Sequence, residues 1–413
     1  MVNIILEIII ILAYFLNVRI GALLFLLFSI ATLRDKKYPF FDRIVKILIF
    51  SLPLSYISVL GESLPHALSW YNIFLFVFLI YLCIKAGHKV VRKVASISAI
   101  FVALLGISIL GTIDFYKSII EVTQIMLMVV PLLVVYKSKI NAKNIKNLSN
   151  CYRDVCVSTA ICMLIQLIAF NHFDTILGTV NLYAQRVSCS VLFTGASILP
   201  IFIGVGLVIS LIDATMGVDR MFNVLCATIM LSSVVLNTSR SALFALIITV
   251  FYILFSHLRR LKKKIDGRLL LFIALLLVVG VVYQSVTRIG LSSFLDDNGR
   301  YETWANGYNI WTSSIKNFLF GGGFASNEWN DAVLPHNMLI QSLAQTGLIF
   351  TLSMIIALAK YMKENRNKPH FPVIIFLLLS GMLVTDFYAN AFITIAFIYV
   401  QLSRNIEACN DKK

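Results

Sequence analysis

The sequence predicts an all-α, polytopic integral membrane protein, and three observations carry that prediction. Of 413 residues, 59% are hydrophobic and only 13% are charged, where a soluble domain carries about a quarter charged. The apolar residues are gathered into long runs rather than scattered. The cations fall between those runs, at every second turn, as the positive-inside rule requires of a chain that crosses the bilayer repeatedly.

The apolar runs, in order, are 3–17, 20–33, 44–60, 71–85, 94–111, 117–136, 154–170, 189–212, 221–236, 241–255, 269–286, 338–359, 371–385 and 389–403. A helix crossing a hydrocarbon core of about 30 Å needs roughly 20 residues, so several runs are short. Fourteen spans place both termini in the cytoplasm. Twelve do the same if the first or last pair is a re-entrant hairpin. The expectation is therefore about 12–14 transmembrane helices in a single domain over residues 1–413, with no soluble domain, internal repeat or low-complexity segment. The first run lacks a basic start and a small-residue cleavage site, so a cleaved signal is not expected.

The net charge is +15. In a soluble protein that would suggest nucleic acid. Here 28 of the 35 Lys and Arg residues cluster at 34–46, 85–93, 137–153, 220, 259–268, 360–368 and 404–413. That placement reads as anchoring and orientation, with the lipid bilayer as partner and no nucleic acid. The seven Cys, at 83, 151, 156, 162, 189, 226 and 409, form no CxxC or metal-ligand spacing and read as packing residues.

The outward loops are mostly tight. Residues 171–188 make a longer one. The turn at 237–240 divides a 35-residue apolar stretch, 221–255, which is too long for one helix and right for two. Residues 287–337 form the long external loop. Inside it Trp304, Tyr308, Trp311, Ile315 and Phe318 recur at steps of four and three, one apolar face of a helix. With two Trp and a Tyr, that amphipathic helix is expected to lie flat at the outer membrane–water boundary. The glycines at 321–323 end it. Pro335 disfavours helix at the residue before it, and Asn337 is placed to cap the helix that follows.

Four cationic or titratable residues stand out on the outer side. Arg240 interrupts an apolar stretch, where a charge is costly and is either paired or functional. Its plainer reading is a turn arginine snorkelling to the interface. Arg300 opens the amphipathic helix, where the dipole disfavours a cation. An anion shared with the helix terminus would remove the conflict, and pairing with Asp296, Asp297 or Glu302 would do the same. His336 starts a membrane helix and suits a base or hydrogen-bond donor, or simply a polar interfacial residue. Arg186 precedes an apolar run and reads equally well as an interfacial cation. Arginine's planar fork fits phosphate oxygens, so several arginines with one histidine point to an anionic lipid diphosphate. No HExxH, Walker loop, Ser–His–Asp order or Cys/His cluster appears. Asp296-Asp297 reads as solvated or arginine-paired, so no metal or other cofactor is expected.

With these residues in view, the chain resembles the O-antigen polymerase and O-antigen ligase superfamily of bacterial envelope proteins. Thr238-Ser-Arg240-Ser-Ala-Leu is similar to its (S/T)R-(S/G/A)-A-L turn. Gly299-Arg300, then Trp304, then Phe318-Leu-Phe-Gly321-Gly-Gly323, is similar to its GR…W…lfGxG loop. Pro335-His336-Asn337, then Leu339, Leu343 and Gly347, is similar to its HN-x-x-L-x-x-L-x-x-x-G segment, and Arg186-Val-Ser188 to an R-x-S element. The likeness covers about the C-terminal half. It departs at Phe350 and Cys189, where glycine is common.

The resemblance implies an inverting glycosyltransferase of the bacterial inner membrane, independent of metal, with its site on the periplasmic side. It would move a glycan from undecaprenyl diphosphate to a sugar hydroxyl. It implies catalytic roles for His336, Arg300 and Arg240, and diphosphate or glycan binding by Arg186, Arg240, Arg300, Asn337 and Trp304. A flippase and a chain-length regulator are implied as partners. Polymerisation of lipid-linked repeat units is the first reading. Ligation of finished glycan to the lipid A core is the alternative. A lipid-linked oligosaccharide flippase is a further one, disfavoured because charged residues other than Glu7 and Glu121 are nearly absent from the apolar runs. A glycosyltransferase using polyprenyl-phosphate sugars would offer acids in its first outer loop, and here that loop holds Arg19.

Overall fold

In the computed structural model, residues 2–59, 68–110, 112, 115–138, 145–183, 186–193, 197–237, 239–260, 275, 279, 299–324, 335–384 and 390–410 are described. They are overwhelmingly helical. The early helices are α1 (Val2–Leu16), α2 (Val18–Arg34), α3 (Phe40–Phe50), α4 (Trp70–Ala86), α5 (His88–Ile109), α6 (Phe115–Lys137) and α7 (Ile145–Phe173). A hairpin, β1 (Thr179–Tyr183) and β2 (Arg186–Val191), follows. Then come α8 (Ile198–Thr215), α9 (Arg220–Leu236), α10 (Arg240–Arg260), α11 (Arg300–Thr312), α12 (Ile315–Phe320), α13 (Met338–Asn365), α14 (Phe371–Gly381) and α15 (Ala391–Asn410). Five of the described segments are long and apolar enough to cross a membrane: His88–Ile109, Ser118–Lys137, Asn147–Phe173, Ile198–Thr215 and Met338–Asn365. Six shorter apolar helices accompany them. The chain is thus an all-α membrane protein at the level of its elements. The run at 269–286 lies outside the described residues.

Two expectations are corrected. The run at 189–212 is not one helix: Cys189 and Val191 belong to β2, and α8 begins only at Ile198. The five-residue aromatic face is not on one helix either. α11 ends at Thr312, and Ser314 caps α12 by accepting from the Asn317 N–H. Serine competes for backbone donors, so a Ser-Ser pair starts a new helix more readily than it continues one.

The chain forms two compact units, one of Met1–Leu75, Ala142–Leu295 and Pro372–Ser380, the other of Phe76–Asn141, Asp296–Phe371 and Gly381–Lys413. In the first unit α8 is the buried centre, flanked by α7, α9 and α10. Two glycines permit this. A Cβ on Gly206 would stand 2.3 Å from the Cys156 side chain of α7, and one on Gly204 would stand 2.3 Å from the Phe376 ring of α14. One end of the unit is tied by buried polar groups. Arg153 donates to Asp154 Oδ1 at 2.7 and 3.0 Å and to Asn223 Oδ1 at 3.0 Å, and Ser149 donates to Asp213 at 2.6 Å.

In the second unit α13 packs against α5, α11, α12 and α15, while α6 packs against α5 and α15. Phe350 of α13 meets Phe101 of α5 edge-on, 5.6 Å between centroids. The Tyr361 hydroxyl donates to the Phe397 carbonyl of α15 at 2.7 Å.

Candidate functional site

The six sequence-nominated residues divide between the units. Arg186 and Arg240 belong to the first, and Arg300, Trp304, His336 and Asn337 to the second. Each set is built by its own local structure.

In the first unit the foundation is Gln166, in the apolar C-terminal third of α7. Its Nε2 donates to the carbonyls of Leu177 and of Thr179 (2.9 Å for the latter), and its Oε1 accepts from the Val191 N–H at 3.0 Å. One side chain therefore pins both strands of the hairpin, with Tyr183 paired to Arg186 at its tip. Gly178, at φ +58°, lets the chain enter the hairpin hard against Phe15 of α1. Ser188, two residues after Arg186 on β2, is fully buried and donates to Asn237 Oδ1 at 3.0 Å. Asn237 closes α9, its N–H donating to the Ser233 carbonyl, and Arg240 opens α10. The break expected at 237–240 is present and docks on the hairpin.

What remains at that turn is a set of donors. Asn237 Nδ2, Arg240 Nε and Arg240 Nη2 are buried and have no hydrogen-bond partner among the described residues, and neither has the Ser239 hydroxyl. Buried polar groups are normally satisfied, and an unmade bond costs about 1–3 kcal/mol. Here the orphan groups are of one kind: amide N–H, guanidinium N–H and a hydroxyl, gathered where the N-terminus of a 21-residue helix also presents backbone N–H groups. Such a set could satisfy an oxyanion.

In the second unit Arg300 is the first residue of α11, after Gly299 at φ +74°. Arg300, Trp304 and Gly307 follow at steps of four and three, so they share one side of the helix. A Cβ on Gly307 would stand 2.8 Å from Ile340 and 2.9 Å from Pro335. That close approach sets α11 against the turn bearing His336. Trp304 is half-buried, meets Tyr301 edge-on at 5.7 Å, and its Nε1 has no partner among the described residues. His336 is half-buried, between buried Pro335 and half-buried Asn337. Asn337 is the expected cap of α13: its Oδ1 accepts from Leu339 N at 2.9 Å and Ile340 N at 3.2 Å. With that oxygen occupied, Asn337 can offer a ligand only its Nδ2 donors.

The support for this turn was not foreseen. α13 is broken at Gly347, which has φ +72° and ψ −178°. A break frees carbonyls that in an apolar interior must find other donors. The glycine run supplies them: Gly322 N–H donates to the Ala344 carbonyl at 2.7 Å and Gly323 N–H to the Gln345 carbonyl at 3.1 Å. A Cβ on Gly321 would fall 2.3 Å from the Gln345 carbonyl oxygen, and one on Gly347 would fall 2.4 Å from the Phe320 nitrogen. Lys316 clamps the strap, donating to the Gly321 carbonyl at 2.7 Å and to the Ser108 carbonyl of α5 at 3.3 Å. The first half of α13, with His336 and Asn337 at its head, is thus held by loop backbone.

Gln166 and Lys316 escaped the sequence reading, and Ser188 and Gly347 entered it only as members of the motifs that carry the resemblance. Gln166 is a polar residue inside the run 154–170. The alternation in Thr179-Val-Asn-Leu-Tyr183 and Arg186-Val-Ser-Cys-Ser-Val191 carries the period of two that marks a strand. Among the described residues, no three His, Cys, Asp or Glu side chains gather in a way that would hold a metal ion. No protein-family model and no curated protein sequence matches the chain.

Proposed function

We propose that this chain polymerises undecaprenyl-diphosphate-linked oligosaccharide repeat units into O-antigen or a related surface polysaccharide. The observation that carries the reading is the group of buried, unpartnered donors around Arg240. A diphosphate ester presents several anionic oxygens at once, which such a group would satisfy. The alternation of cationic clusters and the run of apolar helices support a lipid-linked substrate and a bacterial inner membrane, with both termini cytoplasmic and the reaction on the periplasmic side.

In the reaction, the acceptor sugar hydroxyl attacks the anomeric carbon of the donor glycan. The bond from that carbon to the diphosphate oxygen breaks, and its electron pair leaves with undecaprenyl diphosphate, inverting the anomeric centre. Arg240, Asn237 and Ser239 bind the diphosphate, and the resemblance assigns Arg300 and Arg186 to the leaving group as its charge develops. His336 takes the proton from the attacking hydroxyl. Trp304 and Asn337 contact the glycan, through an indole face and amide donors.

The test is surface polysaccharide on a gel, from a strain lacking the gene and from the same strain complemented with wild type, Arg240→Ala or His336→Ala. The reading predicts single-repeat product in the deletion strain, a restored ladder with wild type, and no ladder with either variant at equal protein level. Bare core with long polymer left on the lipid carrier would make the chain a ligase. An unchanged ladder in the deletion strain would overturn the assignment.

A further inference from the structure

At one end of the second unit, three helices converge their cations. α5 opens with His88, Lys89, Arg92 and Lys93; α6 closes on Tyr136 and Lys137; and α13 closes with Lys360, Lys363 and Glu364. Lys93 and Lys360 both lie within electrostatic range of Lys137, with Glu364 as the acid among them. Tyr136 organises the group. Its hydroxyl donates to Glu364 Oε1 at 2.6 Å, and Lys137 Nζ sits 5.0 Å over its ring. Among the described residues, Lys93, Lys137 and Lys360 thus share the Glu364 carboxylate, which already accepts a hydrogen bond.

The start of α5 makes the arrangement less favourable still. The positive end of a 22-residue helix carries cations in its first two turns, against the dipole. Its N-cap, Gly87, provides no side-chain hydrogen bond, and a Cβ there would meet nothing within 4 Å. Orientation by the positive-inside rule accounts for lysines at helix ends. It does not account for lysines from three mutually packed helices acting on one another around Glu364. A bound anion would relieve both the mutual repulsion and the conflict with the dipole. His88–Ile109, Ser118–Lys137 and Met338–Asn365 are three of the segments long enough to cross the bilayer, so their lysine-bearing ends lie at headgroup depth.

We propose that the cluster of Lys93, Lys137 and Lys360, beside Tyr136 and the N-terminus of α5, is a binding site for the phosphate headgroup of an anionic phospholipid. The site holds whichever reaction the chain performs. Lys93 and Lys360 are exposed, and half-buried Lys137 supplies the inner charge.

The experiment compares full-length protein in nanodiscs of phosphatidylcholine alone and of phosphatidylcholine doped with phosphatidylglycerol. Thermal unfolding and retained lipid by native mass spectrometry are read together. Wild type is expected to unfold at higher temperature with phosphatidylglycerol and to retain it in preference to phosphatidylcholine. Lys93→Gln/Lys137→Gln/Lys360→Gln should lose that preference, by roughly fivefold in retention for each lysine neutralised. If the triple variant does not fold, Lys93→Gln/Lys360→Gln alters only exposed residues and should show two thirds of the effect on a logarithmic scale. Arg34→Gln/Lys36→Gln/Lys37→Gln, an equal charge change in the other unit, should keep the wild-type preference. Equal retention of the two lipids by wild type would overturn the site, and so would an equal loss in the Arg34/Lys36/Lys37 control.

Discussion

The hydroxyl of Ser188 donates a 3.0 Å hydrogen bond to the side-chain oxygen of Asn237, 49 residues later in the chain. That bond joins the hairpin to the α9–α10 turn. It also commits the Asn237 acceptor and leaves the amide's Nδ2 donors without a partner among the described residues. Asn237→Asp replaces those donors with a negative charge beside Arg240. It is expected to abolish polymer while protein level stays near wild type, read by gel and immunoblot together. Ser188→Ala frees the amide to rotate and should lower activity about tenfold, the equivalent of one hydrogen bond.

Arg240→Lys keeps the charge and removes the fork. Lysine binds phosphate as a point charge and cannot make the bidentate contact. The expected result is a loss of at least tenfold in polymerisation, with the helices intact by circular dichroism. Arg300→Lys should behave in the same direction. Wild-type activity in either would count against guanidinium recognition at that position.

Gly347 and Gly106 make a matched pair. Gly347 sits at φ +72°, and a Cβ there would fall 2.4 Å from the Phe320 nitrogen, whereas one on Gly106 would meet nothing within 4 Å. Gly347→Ala should destabilise the second unit by at least the 1–3 kcal/mol of one strained residue, and the strap bonds of Gly322 and Gly323 should lose hydrogen-exchange protection. Gly106→Ala, in the last turn of α5, should be neutral or stabilising by up to about 0.5–1 kcal/mol. Thermal unfolding of both variants beside wild type decides the matter.

Gln166→Leu fills similar volume and removes the bonds from α7 to the Leu177 and Thr179 carbonyls and the Val191 N–H. The Val191 N–H and the Thr179 carbonyl are left without their partner, at about 1–3 kcal/mol for each buried group. Reduced thermal stability is expected together with loss of polymer. Wild-type activity in this variant would show that the hairpin does not position the turn at Arg240.

Burial holds the Cys189 thiol up at about 11. The thiolate is the reactive form, so it is scarce at neutral pH and grows tenfold with each pH unit until the pKa is reached. In native protein, Cys189 should resist maleimide at pH 7 and react faster as pH rises toward 11. Rapid labelling at pH 7, mapped by mass spectrometry, would show the hairpin open.

The helices were largely legible because hydropathy writes them directly. The runs at 20–33, 221–236 and 241–255 became Val18–Arg34, Arg220–Leu236 and Arg240–Arg260. The Asn337 cap and the glycine stop at 321 were legible for the same reason, since each is a local choice made by one side chain or by its absence. The hairpin was not. Its strands are short, and they depend on Gln166, which lies elsewhere in the sequence and looks like an ordinary polar residue in an apolar run. The break at Gly347 was hidden too. A lone glycine inside an apolar helix is usually tolerated, and only the docking of Gly321–Gly323 reveals the kink. The divided aromatic face shows the converse. Trp311 does reach Phe318, stacking at 5.0 Å and donating to its carbonyl at 2.9 Å, but across a helix boundary rather than along one helix.

The most direct test of the account is made with purified protein and a single undecaprenyl-diphosphate-linked repeat unit, following glycan length and released undecaprenyl diphosphate together. The account predicts that wild type lengthens the glycan and releases one lipid diphosphate per bond formed, while Arg240→Ala does neither. Lengthening by Arg240→Ala at the wild-type rate would contradict it, because the donors around Arg240 would then not be where the diphosphate is held.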